Sequence, residues 1–479
     1  MRRRSRLASR PRSAGVLAAA AAAGLVACSS TDSGTLKLVT GEETDTFSQA
    51  PAPITLTVYA WTSSTAVTTI ATASLPTGDI DLGTQNESAV ATLQIKGNDA
   101  SGVNVVAGAS LALQYGALSG STLPVFVQRT SEWARLPNPP TDARQSPTLA
   151  IVSGEFLFIG GGSGSTSAGE TAQLYDFAQL ASVSAPPTLP FAPLSLPVIG
   201  TVALALGQDT AAYYDFSQGI TAAVTPPAGH TWSEVSGGQV VYDYDPSSGT
   251  LDAVFVVGAT RTQGPATATV LAIDATDSSN QSYLTGNLKW LTLTQPRLGA
   301  TAAWVAGRGL VVTAGSASAA GVEVIGPGGT SGSALPFPPD ASMGAGAALA
   351  TADTQHLLVA GGITPTGQDA GVRVLDLGCA QSCGTTGTTV WGAGLPVALT
   401  SASAFYFASG SAYPAMVVGS ELLSGRTHAY LLNSASTGAE LATRVPHFGA
   451  RAIASPLGFN SVLLFGGSDA IESLFPPQP

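Results

Sequence analysis

Charge is the first thing this chain has little of. Of 479 residues, 19 are Lys or Arg and 30 are Asp or Glu, so charged side chains make up 10%, against a usual share of about 25%. Hydrophobic residues reach 44%, and that balance excludes an intrinsically disordered chain, which needs few hydrophobes and much charge. Long stretches rich in Glu, Lys and Leu are missing, which argues against a helical protein. Cysteine numbers only 3, too few for a disulfide-dense scaffold or a four-cysteine zinc site. Histidine numbers 4, and His230, His356, His428 and His447 include no i, i+4 pair that would mark a metal site. Gly (55) and Pro (31) are plentiful, with Ser, Thr and Val around them, the composition of short strands joined by turns. The expected fold class is all-β.

The N-terminus stands apart from fold reasoning. Arg2, Arg3, Arg4, Arg6, Arg10 and Arg12 precede an apolar run from Ala14 to Ala27, the order of a secretory signal peptide. That run is too short to cross a hydrocarbon core of about 30 Å as a helix, so residues 1–27 are expected to be a signal, not a permanent anchor. It ends in Leu25-Val26-Ala27-Cys28, which resembles the lipobox of bacterial lipoproteins. The resemblance implies cleavage before Cys28 and lipid attachment at Cys28. Because Ser29 follows, not Asp, it also implies the outer membrane of a two-membrane bacterium. Loss of the six arginines would leave 13 basic residues against 30 acidic, a net charge of about −17. Such a surface opposes nucleic acid and anionic lipid, so membrane attachment is expected to rest on the acyl chains. Residues 28–50 are Thr-, Ser- and Gly-rich and read as a flexible tether.

Cys379 and Cys383, with three residues between them, lie between Gly378 and Gly384. In the oxidising compartment that export implies, a close isolated pair in a glycine-flanked loop reads as a disulfide. The other reading, a redox pair or half of a metal site, lacks a C-x-x-C motif and a second Cys/His pair.

Residues 51–118 alternate. Ile54, Leu56, Val58 and Ala60 share one face while Thr55, Thr57, Tyr59 and Trp61 point the other way, the period of a half-buried strand. Further candidates are Ala89–Ile95, Val103–Val106 and Ser110–Tyr115. A small β-sandwich of immunoglobulin-like size is expected, without the Cys–Trp–Cys core of that fold.

From 119 to 479 an internal repeat takes over. Apolar runs end in small residues at Phe156–Gly162, Val202–Gly207, Val254–Gly258, Leu310–Gly315, Leu357–Gly362, Ala415–Gly419 and Val462–Gly467. Their final glycines are 45, 51, 57, 47, 57 and 48 residues apart. Other features recur in register: Tyr175-Asp176, Tyr214-Asp215, Ile273-Asp274, Leu375-Asp376 and Leu432-Asn433, with Ile325-Gly326 departing. Arg-led segments at Arg144 and Arg297 precede two of the runs. On these residues the chain resembles the kelch family of β-propellers, whose period is about 50. Only three of the seven runs hold a true Gly-Gly pair. The resemblance implies a seven-bladed propeller, with six to eight as the range. The last repeat stops early, so Val125–Leu136 around Trp133 is expected to supply its missing outer strand.

No chemistry is assignable on this scaffold. Gly160–Ser165 lacks the Gly-Lys-Ser/Thr ending of a phosphate loop. Asp243-Tyr244-Asp245 opens like a calcium loop, but Ser248 and Val254 stand where Gly and Glu are required. A hairpin turn is the better reading. Kelch-type copper radical oxidases need a Cys cross-linked to Tyr, and sialidases need repeated Ser-x-Asp turns; neither pattern is assignable here. Catalytic residues, metal ligands and cofactors are therefore expected to be none. The function expected is a non-enzymatic cell-envelope lipoprotein whose propeller binds or scaffolds an envelope protein or glycan. The alternative is a divergent propeller enzyme acting on carbohydrates, with residues converging at the axis.

Overall fold

The structure, a computed structural model, describes residues 33–476 apart from 63–66, 76–77, 84–89, 115–117, 119, 164–170, 185–186, 246–248, 259–265, 277–286, 316–320, 336, 338–343, 352, 365–366, 369, 379–387, 392–393, 408–412 and 436. The expected signal peptide, Cys28 and the Cys379–Cys383 pair lie outside the described residues.

Seven four-stranded antiparallel sheets make up the C-terminal part. In blade 1 the chain runs from the innermost strand outward through Thr148–Val152, Phe156–Gly160, Gln173–Asp176 and Ala181–Ser182. Blades 2 to 6 repeat that meander from the innermost strands Val198–Ile199, Gln239–Tyr244, Thr301–Val305, Ala348–Thr351 and Leu399–Tyr406. Blade 7 takes Arg451–Ala454, Val462–Phe465 and Ile471–Leu474 from the C-terminus and its outer strand, Trp133–Arg135, from before blade 1. Leu474 stands opposite Trp133 in that pairing. The ring is thus a seven-bladed propeller, closed by Trp133–Arg135; the rest of the segment expected to close it, Val125–Arg129, pairs instead in the N-terminal sheet.

Burial explains the repeat. The second strand of each blade is covered on both faces by neighbouring blades, so it reads as a continuous apolar run. In Phe156–Gly160, Leu157 and Ile159 pack towards blade 7 while Phe158 packs towards blade 2. The glycines after these runs sit at the seam between blades. A Cβ on Gly161 would overlap the Pro193 carbonyl oxygen, and one on Gly361 the Leu399 oxygen, each at the start of the next blade. The recurring Asp or Asn after the third strand has its own cause. Asp176, Asp215, Asp274, Asp376 and Asn433 each accept a hydrogen bond from a backbone N–H two residues on, fixing the turn to the fourth strand. Blade 4, with Gly326, instead closes its turn through Gly329 N–H to the Gly326 carbonyl.

The N-terminal unit differs from expectation in extent and form. The stretch read as a tether contains a strand, Thr35–Val39, which pairs in parallel with Thr122–Arg129 and buries Leu36. Polar neighbours mask that short apolar alternation. Thr122–Arg129 lies past the expected boundary at 118 yet belongs to the same sheet. The unit is one seven-stranded sheet, its strands in the order Val67–Ser74, Thr55–Trp61, Val90–Asn98, Asn104–Gln114, Thr122–Arg129, Thr35–Val39, Asp79–Asp81. It surrounds a single core that includes Leu36, Val58, Ile80, Leu93, Val106 and Val127.

Polar contacts bind the unit to the closing strand. Arg135 reaches Glu42 (2.6 Å) and Glu43 (3.1 Å), and Arg444 reaches Glu132 (2.8 Å) and the Trp133 carbonyl (2.6 Å). Arg129 donates to the carbonyls of Gln49 and Pro51. Phe126 and Ala107 join Leu157, Phe465 and Phe475 in one apolar cluster, so the two units share a core. Among the described residues no helix is long and apolar enough to cross a membrane.

Candidate functional site

The innermost strands surround an axial channel of about 1440 Å³. Each is hydrogen-bonded within its sheet only to the second strand of its blade, so the other edge presents backbone N–H and C=O groups to the axis. Thr148, Ser401 and Ser403 add hydroxyls, and Tyr242 and Tyr244 add aromatic surface. Asp252 and Arg451 are the charged side chains among the described lining residues. Arg451 donates to the Ser401 carbonyl at 3.0 Å. The Ser195 hydroxyl is buried and has no hydrogen-bond partner among the described residues.

Blade 3 supplies the channel's aromatic wall. Tyr242 accepts from the Val198 N–H of blade 2 at 3.4 Å, and burial pushes its hydroxyl up to about 12. Asp243 points away from the channel towards Trp304. Burial, with Asp252 and Asp245 nearby, raises its carboxyl to about 6, opposed by the hydrogen bond from Trp304. The Asp243–Asp245 segment is a hairpin: Asp245 N–H bonds the Thr250 carbonyl and Gly249 N–H the Asp245 carbonyl. The flanking residues thus pair across the turn as the hairpin reading expects, and 246–248 lie outside the described residues.

Where the inner strands begin, three blades carry a buried polar staple. Arg144 bonds Asp142 (2.7 Å) and the carbonyls of Gly161 and Thr171. Arg297 bonds Glu323 (2.8 Å) and the carbonyls of Ala314 and Gly321. In blade 7, His447 takes the arginine's place, bonding the Gly466 carbonyl through Nδ1 and Glu472 through Nε2 at 3.2 Å. Each of the three precedes the first residue of an inner strand by four, at Thr148, Thr301 and Arg451. The Arg-led segments seen in the sequence are these staples. The third was missed because His replaces Arg, although its spacing to the inner strand was available as a signal.

The four histidines do not converge. His230 pairs with Glu234 (3.2 Å) and stacks on Trp290 at 4.6 Å, His356 pairs with Asp353 (2.7 Å), and His428 with Glu440 (2.7 Å). Each has a carboxylate of its own. Among the described residues no group of three or more His, Cys, Asp and Glu could hold a metal ion.

No family model and no curated protein matches this chain. Among solved structures, the Neurospora crassa Pan2 WD40 domain is similar at 11% identity over 73% of this chain and 97% of that one, with a TM-score of 0.44. BBS1N, solved in complex with ARL6DN, is similar at 12% identity over 73% and 99%, TM-score 0.46. The computationally designed Ika8 protein is similar at 13% identity over 71% and 99%, TM-score 0.39. By its own seven four-stranded sheets, this chain is a seven-bladed β-propeller carrying an N-terminal β-sheet unit.

Proposed function

We propose that this chain is a non-enzymatic, lipid-anchored protein of the cell envelope whose kelch-like propeller binds an envelope protein or glycan. The observation that carries the reading is the axial channel. Its wall of unpaired strand edges, hydroxyls and tyrosines offers hydrogen bonds and stacking, the contacts by which peptides and sugars are recognised. Cys28, in its lipobox-like setting, is the proposed anchor to the outer membrane of a two-membrane bacterium, and Cys379 with Cys383 the proposed loop disulfide. No nucleic acid or cofactor enters this reading.

The test is cross-linking in living cells with a tagged copy, followed by mass spectrometry. A discrete protein partner that disappears with Cys28→Ala supports a membrane-localised scaffold. Recovery of envelope polysaccharide makes the propeller a glycan module and brings forward the carbohydrate-enzyme alternative, for which Asp252 and Arg451 would be the first side chains to substitute. A partner unaffected by both Cys28→Ala and channel substitutions overturns the reading.

A further inference from the structure

The N-terminal sheet is split. Its longest strand, Asn104–Gln114, pairs with Thr122–Arg129 only at Val106, Ala107 and Gly108, opposite Arg129, Gln128 and Val127. Gly108 is where the two strands touch: a Cβ there would collide with the Phe126 carbonyl and the Val127 side chain. Beyond it they diverge. Ala109 and residues 112–114 stay paired with Val90–Asn98, with a bulge at Ser110 and Leu111, while Thr122–Phe126 turns to pair with Thr35–Val39. Among the described residues, neither facing edge has a ladder partner past Gly108. Pro124 lies in the diverging strand, as suits an edge that need not donate.

A cleft of about 200 Å³ fills the split. Ala109, Leu111 and Leu113 line one side, Leu123 and Phe126 the other, and Phe177 and Leu180 of blade 1 form the floor. The cleft is apolar but for Ser110 and Glu155. Ser110 is engaged internally, accepting from Leu93 N–H and donating to the Leu111 carbonyl. Glu155 is half-buried and, among the described residues, makes no ion pair. Burial and the charge of Asp176 hold its carboxyl above the usual range. An open strand edge, an apolar slot and an uncompensated acid thus meet at the junction of two units, where ligand sites are commonly built.

We infer that this split receives an extended peptide of a partner protein, added as a strand along residues 109–114, with an apolar side chain in the slot and a Lys or Arg beside Glu155. Strand addition supplies affinity through the main chain, and the alternate side chains supply selectivity. The basic residue follows from charge complementarity, since among the described residues neither Glu155 nor Asp176 has a cation beside it. This site is separate from the channel and stands or falls without it.

The probe is a fluorescent peptide of about nine residues, long enough to span the open edge at about 3.3 Å per residue. It alternates threonine with valine and carries one central lysine; its counterpart carries glutamate there. Anisotropy with the full chain is expected to show saturable binding of the lysine peptide, at least tenfold weaker for the glutamate peptide, and about tenfold weaker with Glu155→Gln. Glu155→Lys is expected to reverse the preference. Hydrogen exchange read on the same complex should show slowed amides within 109–114. Binding that leaves those amides unprotected, or that ignores the charge at position 155, overturns the inference, as does no binding by a folded protein at millimolar peptide. Substitutions in the channel, such as Tyr244→Ala, are expected to leave this binding unchanged.

Discussion

Arg297 and Glu323 show what a single residue does in this ring. Both are almost wholly buried, and Arg297 ties Glu323 to two carbonyls that end one strand and precede the next. Removing one partner strands the other charge without water, so Arg297→Met is expected to cost about 3–5 kcal/mol in urea unfolding. Arg297→Met with Glu323→Gln should cost less than Arg297→Met alone, because the stranded charge is gone; a double variant as unstable as the single one would refute that account. Asp243 offers a prediction of opposite sign. Its carboxyl, raised from 3.8 to about 6, keeps its proton in the folded state over a range where the unfolded chain has lost it. Folding therefore binds the extra proton, and stability from this group falls as pH rises from about 4 to about 6, then levels off. Asp243→Asn should remove that loss while still accepting from Trp304. The variant's gain should grow across this window and stay constant above it, at about 1 kcal/mol after solvent screening. A melting series from pH 4 to pH 8 decides it.

At the scale of elements, glycine carries the distinction between tight contact and mere turn. Gly161 and Gly200 have nearly the same backbone angle, φ of 60° and 59°. Gly161 faces the Pro193 carbonyl across the seam, whereas nothing lies within 4 Å of the Cβ position of Gly200. Gly200→Ala should cost about 1 kcal/mol, the left-handed strain alone. Gly161→Ala must also push two blades apart and should cost distinctly more; equal losses would mean the seam is not tight. The same distinction marks what was legible in the sequence. The blade period, the seven apolar runs and the recurring Asp or Asn after a strand were readable because each repeats and each is dictated locally. Gly108 was not. It read as a break between Val103–Val106 and Ser110–Tyr115, yet the strand runs through it, because its role depends on Phe126 and Val127, far along the chain. The strand Thr35–Val39 was hidden for a related reason: its partner is parallel and distant, and five residues among polar neighbours show too little alternation. Of the candidate site, the glycine seams were visible, but the channel lining was not, since it gathers residues from separate blades.

The whole molecule is held shut by a strand that belongs by sequence to the N-terminal unit. Trp133–Arg135 completes blade 7, and the chain just before it forms the last part of the N-terminal sheet. The N-terminal unit and the ring are therefore one cooperative structure, joined by Phe126 in the shared core and by the Glu43–Arg135 and Glu132–Arg444 pairs. A chain starting at residue 137 would keep 27 of the 28 blade strands but leave Ile471–Leu474 with an open, apolar edge. Such an edge recruits another strand, so that chain is expected to associate or precipitate where the full chain remains monodisperse in sedimentation. Weakening the latch without deleting it gives the finer test. Ala134 sits in the middle of the closing strand, paired with Ser473, and proline there removes a donor and restricts the backbone. Ala134→Pro should leave the strand-rich far-ultraviolet spectrum largely intact yet lower the melting temperature and speed exchange at both Ile471–Leu474 and Thr122–Arg129. The two segments should respond together, because one strand end anchors them both. If exchange rose in blade 7 alone, the N-terminal unit would be a separate body resting on the ring, and its closing role would reduce to that of a single strand.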